Sequence, residues 1–154
     1  MTIIKGRRGI ELVNGELLTL KASSALGVTL GTNGTAFYVG GERHRFGIVL
    51  AVTAAQTEIT DLLNVYVDVS PDNVTWLNAV HFTQVLGNGG AVSFFAVLDP
   101  SNPPATVTDT TADAAAGVVR PSLFGAYMRA RWVIFDGGGA AVSFTFSVAA
   151  WAES

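Results

Sequence analysis

Hydrophobic and polar residues alternate with a period of two through most of the chain after residue 43. The pattern is clearest in four segments: 45–53, 62–69, 127–135 and 142–151. In the last of these, apolar residues from Val142 to Ala150 alternate with serine and threonine. Such alternation is typical of β-strands that turn one face to a core and the other to water or to a partner. We therefore predict four strands in these segments.

Two further strands are predicted at 77–86 and 92–98, joined as a hairpin by the glycine-rich turn 87–90. The turn 70–73, Ser-Pro-Asp-Asn, separates the strand at 62–69 from Trp76. No helical pattern of about ten residues lies between the strands, so parallel strands with helical crossovers are excluded. The sequence thus predicts an all-β fold, an antiparallel β-sandwich of the jelly-roll type.

Residues 1–42 show a weaker pattern. Asn14-Gly15, between two short apolar segments, is a hairpin signal, and the candidates 27–30 and 36–39 follow among glycines. This part could form edge strands or an edge hairpin of the same sandwich, or an extended arm that becomes ordered on a partner. Because its start is basic and its strands are short, we favour the arm, which divides the chain into an arm at 1–42 and a sandwich domain at 43–154.

The segment from Asp99 to Gly117 is the longest one without a pattern, and it is rich in proline, threonine and aspartate. Compact domains rarely hold about 20 residues without regular structure unless the loop is functional or disordered. We expect one of these two explanations to apply to this segment.

The composition of the 154 residues is unusually apolar: 49% are hydrophobic and 14% are charged, against roughly 25% charged in an average soluble domain. The mean hydropathy is +0.42. A small domain with so few charges leaves apolar patches in contact with water unless a partner covers them. We therefore expect a homo-oligomer or a docked subunit. The net charge of −3 favours neither a nucleic acid nor a membrane as the partner.

Residues with catalytic chemistry are scarce in the sequence. Cysteine is absent, and only His44 and His81 could act as imidazole bases. Most acidic residues lie in predicted turns, whereas Asp68 lies inside a strand, where we expect a cross-strand pair with Arg129 or Arg131. No spacing typical of a nucleophilic triad, a zinc site or a calcium loop occurs. We expect neither an enzyme nor a bound metal or cofactor.

Candidate partner-binding residues come from two groups. Basic side chains near the start could bind a partner or could belong to a frayed, solvated terminus. Aromatic residues near strand ends or on outward faces, among them Tyr127 and Trp151, could stack on sugars or anchor an interface. We expect His81 at a surface or interface, and Trp132 in the core. The predicted partner-binding residues are Lys5, Arg7, Arg8, Tyr66, Trp76, His81, Arg129 and Arg131.

Four stretches carry a resemblance to a known class of proteins: residues 63–76, a strand, turn and tryptophan; residues 81–87; and two closing strands around 127–132 and 143–148. Together they resemble the small β-sandwich decoration, or cement, proteins of tailed bacteriophage heads. The resemblance covers roughly residues 43–152. It implies a virion structural protein on the capsid surface, assembled in the host cytoplasm, whose partners are the major capsid protein and further copies of itself, with a trimer favoured.

Two alternatives remain open on the sequence. A carbohydrate-binding or adhesin module would use Trp76, Tyr66 or Trp151 as a stacking surface for sugars. A head-fibre or tail-fibre subunit would place the same sandwich elsewhere in a virus particle.

Overall fold

The computed structural model describes residues 4–6, 9–11, 17–40, 45–102 and 109–153. Within these ranges the chain forms strands and no helix. The strands are β1 (Ile4–Gly6), β2 (Gly9–Glu11), β3 (Leu17–Leu26), β4 (Thr29–Asn33), β5 (Phe37–Tyr38), β6 (Arg45–Ala55), β7 (Leu62–Ser70), β8 (Leu77–His81), β9 (Val85–Leu86), β10 (Val92–Leu98), β11 (Val118–Val119), β12 (Tyr127–Phe135) and β13 (Phe144–Glu153).

The strands form two main sheets that pack face to face. The four-stranded sheet has the order β10-β6-β13-β3, and the seven-stranded sheet contains β11-β8-β7-β12-β4, with β9 beside β7 and β5 beside β12. All neighbouring strands are antiparallel. Successive long strands lie in alternate sheets, except for β7 and β8, which form a hairpin. This is the arrangement of a jelly roll, and the predicted fold class is confirmed.

The core lies between the two sheets and follows directly from the alternation in the sequence. Along β13, every second residue from Phe144 is buried, and β12 shows the same period with Met128, Ala130, Trp132 and Ile134 inside. The residues between them face outward. Trp132 is therefore a core residue, as predicted.

The strands predicted at 45–53, 62–69, 92–98 and 127–135 are found within a few residues, whereas the segment 77–86 is different. It forms two strands, β8 and β9, separated by residues 82–84, of which Phe82 is buried in the core. The glycine-rich turn after it does not close a hairpin, because β9 pairs with β7 and β10 pairs with β6 in the other sheet. Alternation indicates which face is buried but not which strand lies alongside.

Residues 17–38 belong to the sandwich, which differs from the arm that we expected over 1–42. Strand β3 pairs along β13, while β4 and β5 pair with β12. Leu20 is buried in the core, so this part of the chain gains hydrophobic stabilisation from the sheets. Before it, β1 and β2 form a small hairpin. The turn predicted at Asn14-Gly15 lies outside the described residues.

Candidate functional site

Five of the predicted partner-binding residues meet on the outer face of the seven-stranded sheet. The pairing of β7 with β12 sets Asp68 opposite Arg129 and Tyr66 opposite Arg131, and β8 brings His81 opposite Tyr66. We call the resulting group the polar cluster; it comprises Tyr66, Asp68, Trp76, Asn78, His81, Asp113, Arg129 and Arg131. Of the remaining predicted residues, Lys5 lies in β1, whereas Arg7 and Arg8 lie outside the described residues.

Asp68 is the buried centre of the polar cluster, with 2% of its surface exposed. Its carboxylate accepts hydrogen bonds from Nε of Arg131 at 2.9 Å, from Nε of Arg129 at 3.4 Å and from Nδ2 of Asn78 at 3.0 Å. A buried carboxylate is stable only when its charge and lone pairs find partners. The predicted cross-strand pair is therefore confirmed, and it involves both arginines.

Arg131 joins the sheet to the loop above it. Its guanidinium lies between Asp68 and Asp113, with which it forms ion pairs. Burial opposes the positive charge, but the hydrogen bonds to Asp68 and Asp113 outweigh burial and raise the pKa of Arg131 above its ordinary value. Arg131 therefore remains charged across the whole range in which proteins fold, and it holds Asp113 against the sheet.

The aromatic rings of the polar cluster are engaged by neighbouring side chains. The guanidinium carbon of Arg129 lies 4.0 Å from the centre of the Trp76 ring, and that of Arg131 lies 4.1 Å from the Tyr66 ring. His81 also stacks on Tyr66, with ring centres 4.2 Å apart. Burial, and then the charge of Asp113, raise the pKa of the Tyr66 hydroxyl. Tyr66 thus lies on the outer face of the sheet, but with 8% of its surface exposed it is not open to a partner as we expected.

His81 is buried as well, which corrects the expected position at a surface or interface. It does point away from the core, but residues 109–117 cover it and leave 8% of its surface exposed. Nδ1 donates to the carbonyl oxygen of Ala114 at 2.7 Å, and Oδ1 of Asn78 accepts a hydrogen bond from the Ala114 amide at 2.9 Å. The part of the irregular segment that the structure describes is therefore bound to the sheet by these side chains.

A cleft of about 240 Å³ opens beside the polar cluster, lined by Asp68, Trp76, Asn78, Thr111, Asp113, Arg129 and Arg131. Its two carboxylates balance its two guanidinium groups, and these groups are bonded to one another. Among the described residues, no three histidine, cysteine or acidic side chains are grouped as a metal site would require. The chemistry of the polar cluster is that of a clamp for residues 109–117.

A second surface with unusual properties covers the outer face of the four-stranded sheet. The register places Val97, Gly47, Trp151 and Leu17 in one row across the strands, with Phe95, Val49 and Ala149 in the next. We call the apolar members of these two rows the apolar face. Phe95 is 59% exposed, Leu17 58% and Val97 37%. Contiguous apolar side chains that are exposed to water are typical of interaction sites.

Trp151 is the centre of the apolar face, and Gly47 makes its position possible. A Cβ atom at Gly47 would lie 2.6 Å from Cζ2 of the indole, so only glycine leaves room for the ring over β6. The indole stacks on Phe95, with ring centres 5.6 Å apart and planes at 29°. Beside the rings, the ion pair between Arg45 and Glu153 borders a shallow depression of about 170 Å³.

The apolar face is a candidate binding surface that the sequence-based list omitted, apart from Trp151, which was considered as an exposed aromatic. A signal was present in β10, where Phe94 and Phe95 are adjacent and Val97 follows. A strand with apolar residues on both faces is covered on both sides. The inner face of β10 packs on the core, and its outer face has no cover within the described part of the chain.

Within the described ranges, no helix is long and apolar enough to cross a membrane.

Comparison with known proteins supports the observed fold. No protein-family model matches the chain, and no curated protein matches it. Among solved structures, the infectious bursal disease virus VP2 subviral particle is similar, with a TM-score of 0.50 and 10% identity over 88% of this chain and 31% of that chain. A structure of the Gx strain of the same virus gives 0.49 and 11% over 88% and 30%. The chain thus spans less than a third of the proteins it matches, and at this identity the first likeness shows a shared fold.

The fold and the two surfaces together define a class: a double-sheet β-sandwich of the jelly-roll type, an architecture that is found in viral capsids and in lectins. In the polar cluster of this chain, the charged groups are paired with one another. On its apolar face, by contrast, large apolar side chains are exposed to water.

Proposed function

We propose that the chain is a structural protein of a virus particle, a decoration or cement protein that binds the outer surface of an assembled phage head and stabilises it. The observation that carries the proposal is the apolar face, where Phe95, Trp151 and Leu17 lie side by side on the outside of the four-stranded sheet. The partner that covers this face is the major capsid protein. The jelly-roll topology and the likeness to a viral particle protein support this class of function.

Burial of the apolar face by a partner would contribute favourable binding energy. Burying one large apolar side chain contributes about 1.5–3 kcal/mol. Aromatic residues near the centre of an interface commonly dominate its binding energy, and Trp151 with Phe95 holds that position here. Lys5, Arg7 and Arg8, the basic residues near the start, are further candidates, which would pair with acidic groups of the shell.

The proposal is tested by binding to assembled heads of a phage whose genome carries this sequence, first stripped of the wild-type protein. We expect saturable binding of the wild type and a loss of at least about tenfold in affinity for Trp151→Ala, because one such anchor contributes about 1.4 kcal/mol or more. Phe135→Ala is the matched control, since Phe135 is 56% exposed at the end of β12 in the other sheet. Equal affinity of both variants and the wild type would contradict the proposal.

A carbohydrate-binding function is the second candidate, and the observations favour one position for its binding site. The rings of Tyr66 and Trp76 are engaged by arginines. Trp151 and Phe95 instead form an exposed aromatic surface. It is bordered by the guanidinium of Arg45 and the carboxylate of Glu153, which would form hydrogen bonds to sugar hydroxyls. A glycan array on which the wild type binds and Trp151→Ala does not would favour this function over a shell protein. Localisation by electron microscopy separates a head protein from a fibre subunit.

A further inference from the structure

The two edges of the four-stranded sheet differ in how they are protected against pairing with another chain. At the β3 edge, the register with β13 shifts twice. Lys21 also points inward there: its Nζ donates to the carbonyl oxygen of Phe146 at 2.8 Å and lies 4.0 Å from the centre of the Phe146 ring. Irregular pairing and an inward-pointing charge are the devices by which natural sheets prevent edge-to-edge association.

The β10 edge has neither device. Its register with β6 is unbroken from Val92 to Leu98, and no strand pairs with its other side in the described part of the chain. The strand reads Val-Ser-Phe-Phe-Ala-Val-Leu, without a charge, a proline or a glycine. A regular, apolar, unprotected edge is a template for a further strand. Because the opposite edge of the same sheet is protected, the open β10 edge indicates a site where pairing occurs.

We propose that β10 pairs with β10 of a second copy of this chain, in antiparallel orientation, with the two-fold axis at Phe95. This pairing would join the two four-stranded sheets into one continuous sheet. The mode of recognition is addition of a strand to an exposed sheet edge, in which main-chain hydrogen bonds supply much of the affinity.

The sequence of β10 is self-complementary about Phe95, which is why we assign a second copy as the occupant. On the core side, the large Phe94 falls opposite the partner's Ala96. Beyond the strand, the amide of Asp99 donates to the carbonyl oxygen of Pro121 at 2.6 Å, so the pairing would end at Leu98 and no charge lies within the paired segment. Like charges directly opposite each other destabilise a strand pair, and this arrangement contains none.

The two-fold contact deepens the proposed function. Because side chains on the outer face keep their direction along a continuous sheet, the apolar faces of the two copies would adjoin, with Phe95 of each copy at the junction. The decorating unit would then be a dimer in place of the trimer that the resemblance implies. Its docking surface on the shell would be twice that of one copy.

The test uses the full chain and its lack of cysteine. First, analytical ultracentrifugation of the wild type measures the mass over a range of concentrations. Second, Phe95→Cys is exposed to a mild oxidant or to a short thiol cross-linker, with Val97→Cys and Phe135→Cys as matched controls. Directly opposite residues of paired strands have Cβ atoms about 4.5–5.5 Å apart, so two-fold pairing brings the two introduced thiols together only at position 95.

We expect a dimer that dissociates on dilution, and cross-linking of Phe95→Cys at least about tenfold faster than either control, because pairing holds the thiols at a high effective concentration. A monomer at all concentrations, a trimer, or equal cross-linking of all three variants would overturn the inference. A dimer that fails to bind heads would leave this inference standing and contradict the proposed function. A monomer that binds heads through a strand of the shell protein would overturn this inference and leave the proposed function standing.

Discussion

Gly47 and Trp151 face each other across the register of β6 and β13, and the absence of a side chain at Gly47 leaves the space that the indole occupies. The ring thereby reaches across β6 to Phe95 on β10. This relationship keeps a large, half-buried aromatic ring on the outside of the sheet. Under the proposed function, the partner would bury this ring at the centre of the interface.

The first prediction concerns Gly47→Ala. The new Cβ would meet the indole at 2.6 Å, so Trp151 must move out of the apolar face. We expect a loss of about 1–3 kcal/mol in the free energy of unfolding, which is the usual cost of overpacking, together with a loss of binding to heads. Denaturant unfolding measures the first and a binding isotherm the second.

The control for Gly47→Ala is Gly139→Ala, because a Cβ at Gly139 has open space around it. The double variant Gly47→Ala with Trp151→Ala should recover stability but not binding, since the clash is gone and the anchor is also gone. If Gly47→Ala alone bound heads as tightly as the wild type, the position of the Trp151 indole would not contribute to binding.

A second prediction separates the buried ion pairs from the exposed one. Asp68→Asn leaves Arg129 and Arg131 without the carboxylate that both contact. Breaking a fully buried pair costs about 3–5 kcal/mol; because both guanidinium groups are partly exposed, we expect about 2 kcal/mol. Glu153→Gln, which removes the solvent-exposed pair with Arg45, should cost less than about 1 kcal/mol.

The same substitution tests the role of the polar cluster as a clamp. Asn78 donates to Asp68 and accepts from the amide of Ala114. Asp68→Asn should therefore accelerate hydrogen exchange of the Ala114 amide more than that of core amides in β13. Uniform acceleration across the chain would indicate a general loss of stability and no clamp.

A third prediction follows from the turn between β7 and β8. Oδ1 of Asp72 accepts backbone hydrogen bonds from Thr75 at 2.7 Å and from Val74 at 2.9 Å. These bonds, that from Thr75 first, lower the pKa of Asp72 to about 2. An unfolded aspartate titrates near pH 3.9, so the carboxylate stabilises the fold above about pH 4, and this stabilisation is lost as the pH falls toward about 2.

Asp72→Asn removes the titration and keeps the shape of the side chain. The wild type should unfold at a higher temperature than this variant at neutral pH, and the difference should shrink between about pH 4 and about pH 2. Thermal unfolding followed by circular dichroism measures it. A difference that stays constant over this range would contradict the assigned role of Asp72.

The sequence was most informative where periodicity alone decides the structure. The alternation in β12 and β13 predicts their positions to within two residues, their buried faces and the core position of Trp132. The pairing of Asp68 with both arginines could be anticipated because a carboxylate inside a strand needs a cross-strand partner. These features follow from the alternation of apolar and polar residues within single strands and from the residue types on their faces.

Other features depend on contacts between segments that are distant in sequence. The burial of His81 depends on residues 109–117, which show no pattern of their own. The pairing of β10 with β6, and not with β9, is a choice of partner that alternation does not encode. The apolar face forms only when strands from both ends of the chain lie side by side, as Leu17 and Trp151 do.

The central claim, that the apolar face of the four-stranded sheet is the surface that binds an assembled virus head, is tested most directly by electron cryomicroscopy of heads saturated with the wild-type chain. We expect density for the sandwich on the outside of the shell, with the stacked rings of Phe95 and Trp151 against the major capsid protein. A bound sandwich whose apolar face points to solvent, or heads that carry no added density, would contradict it.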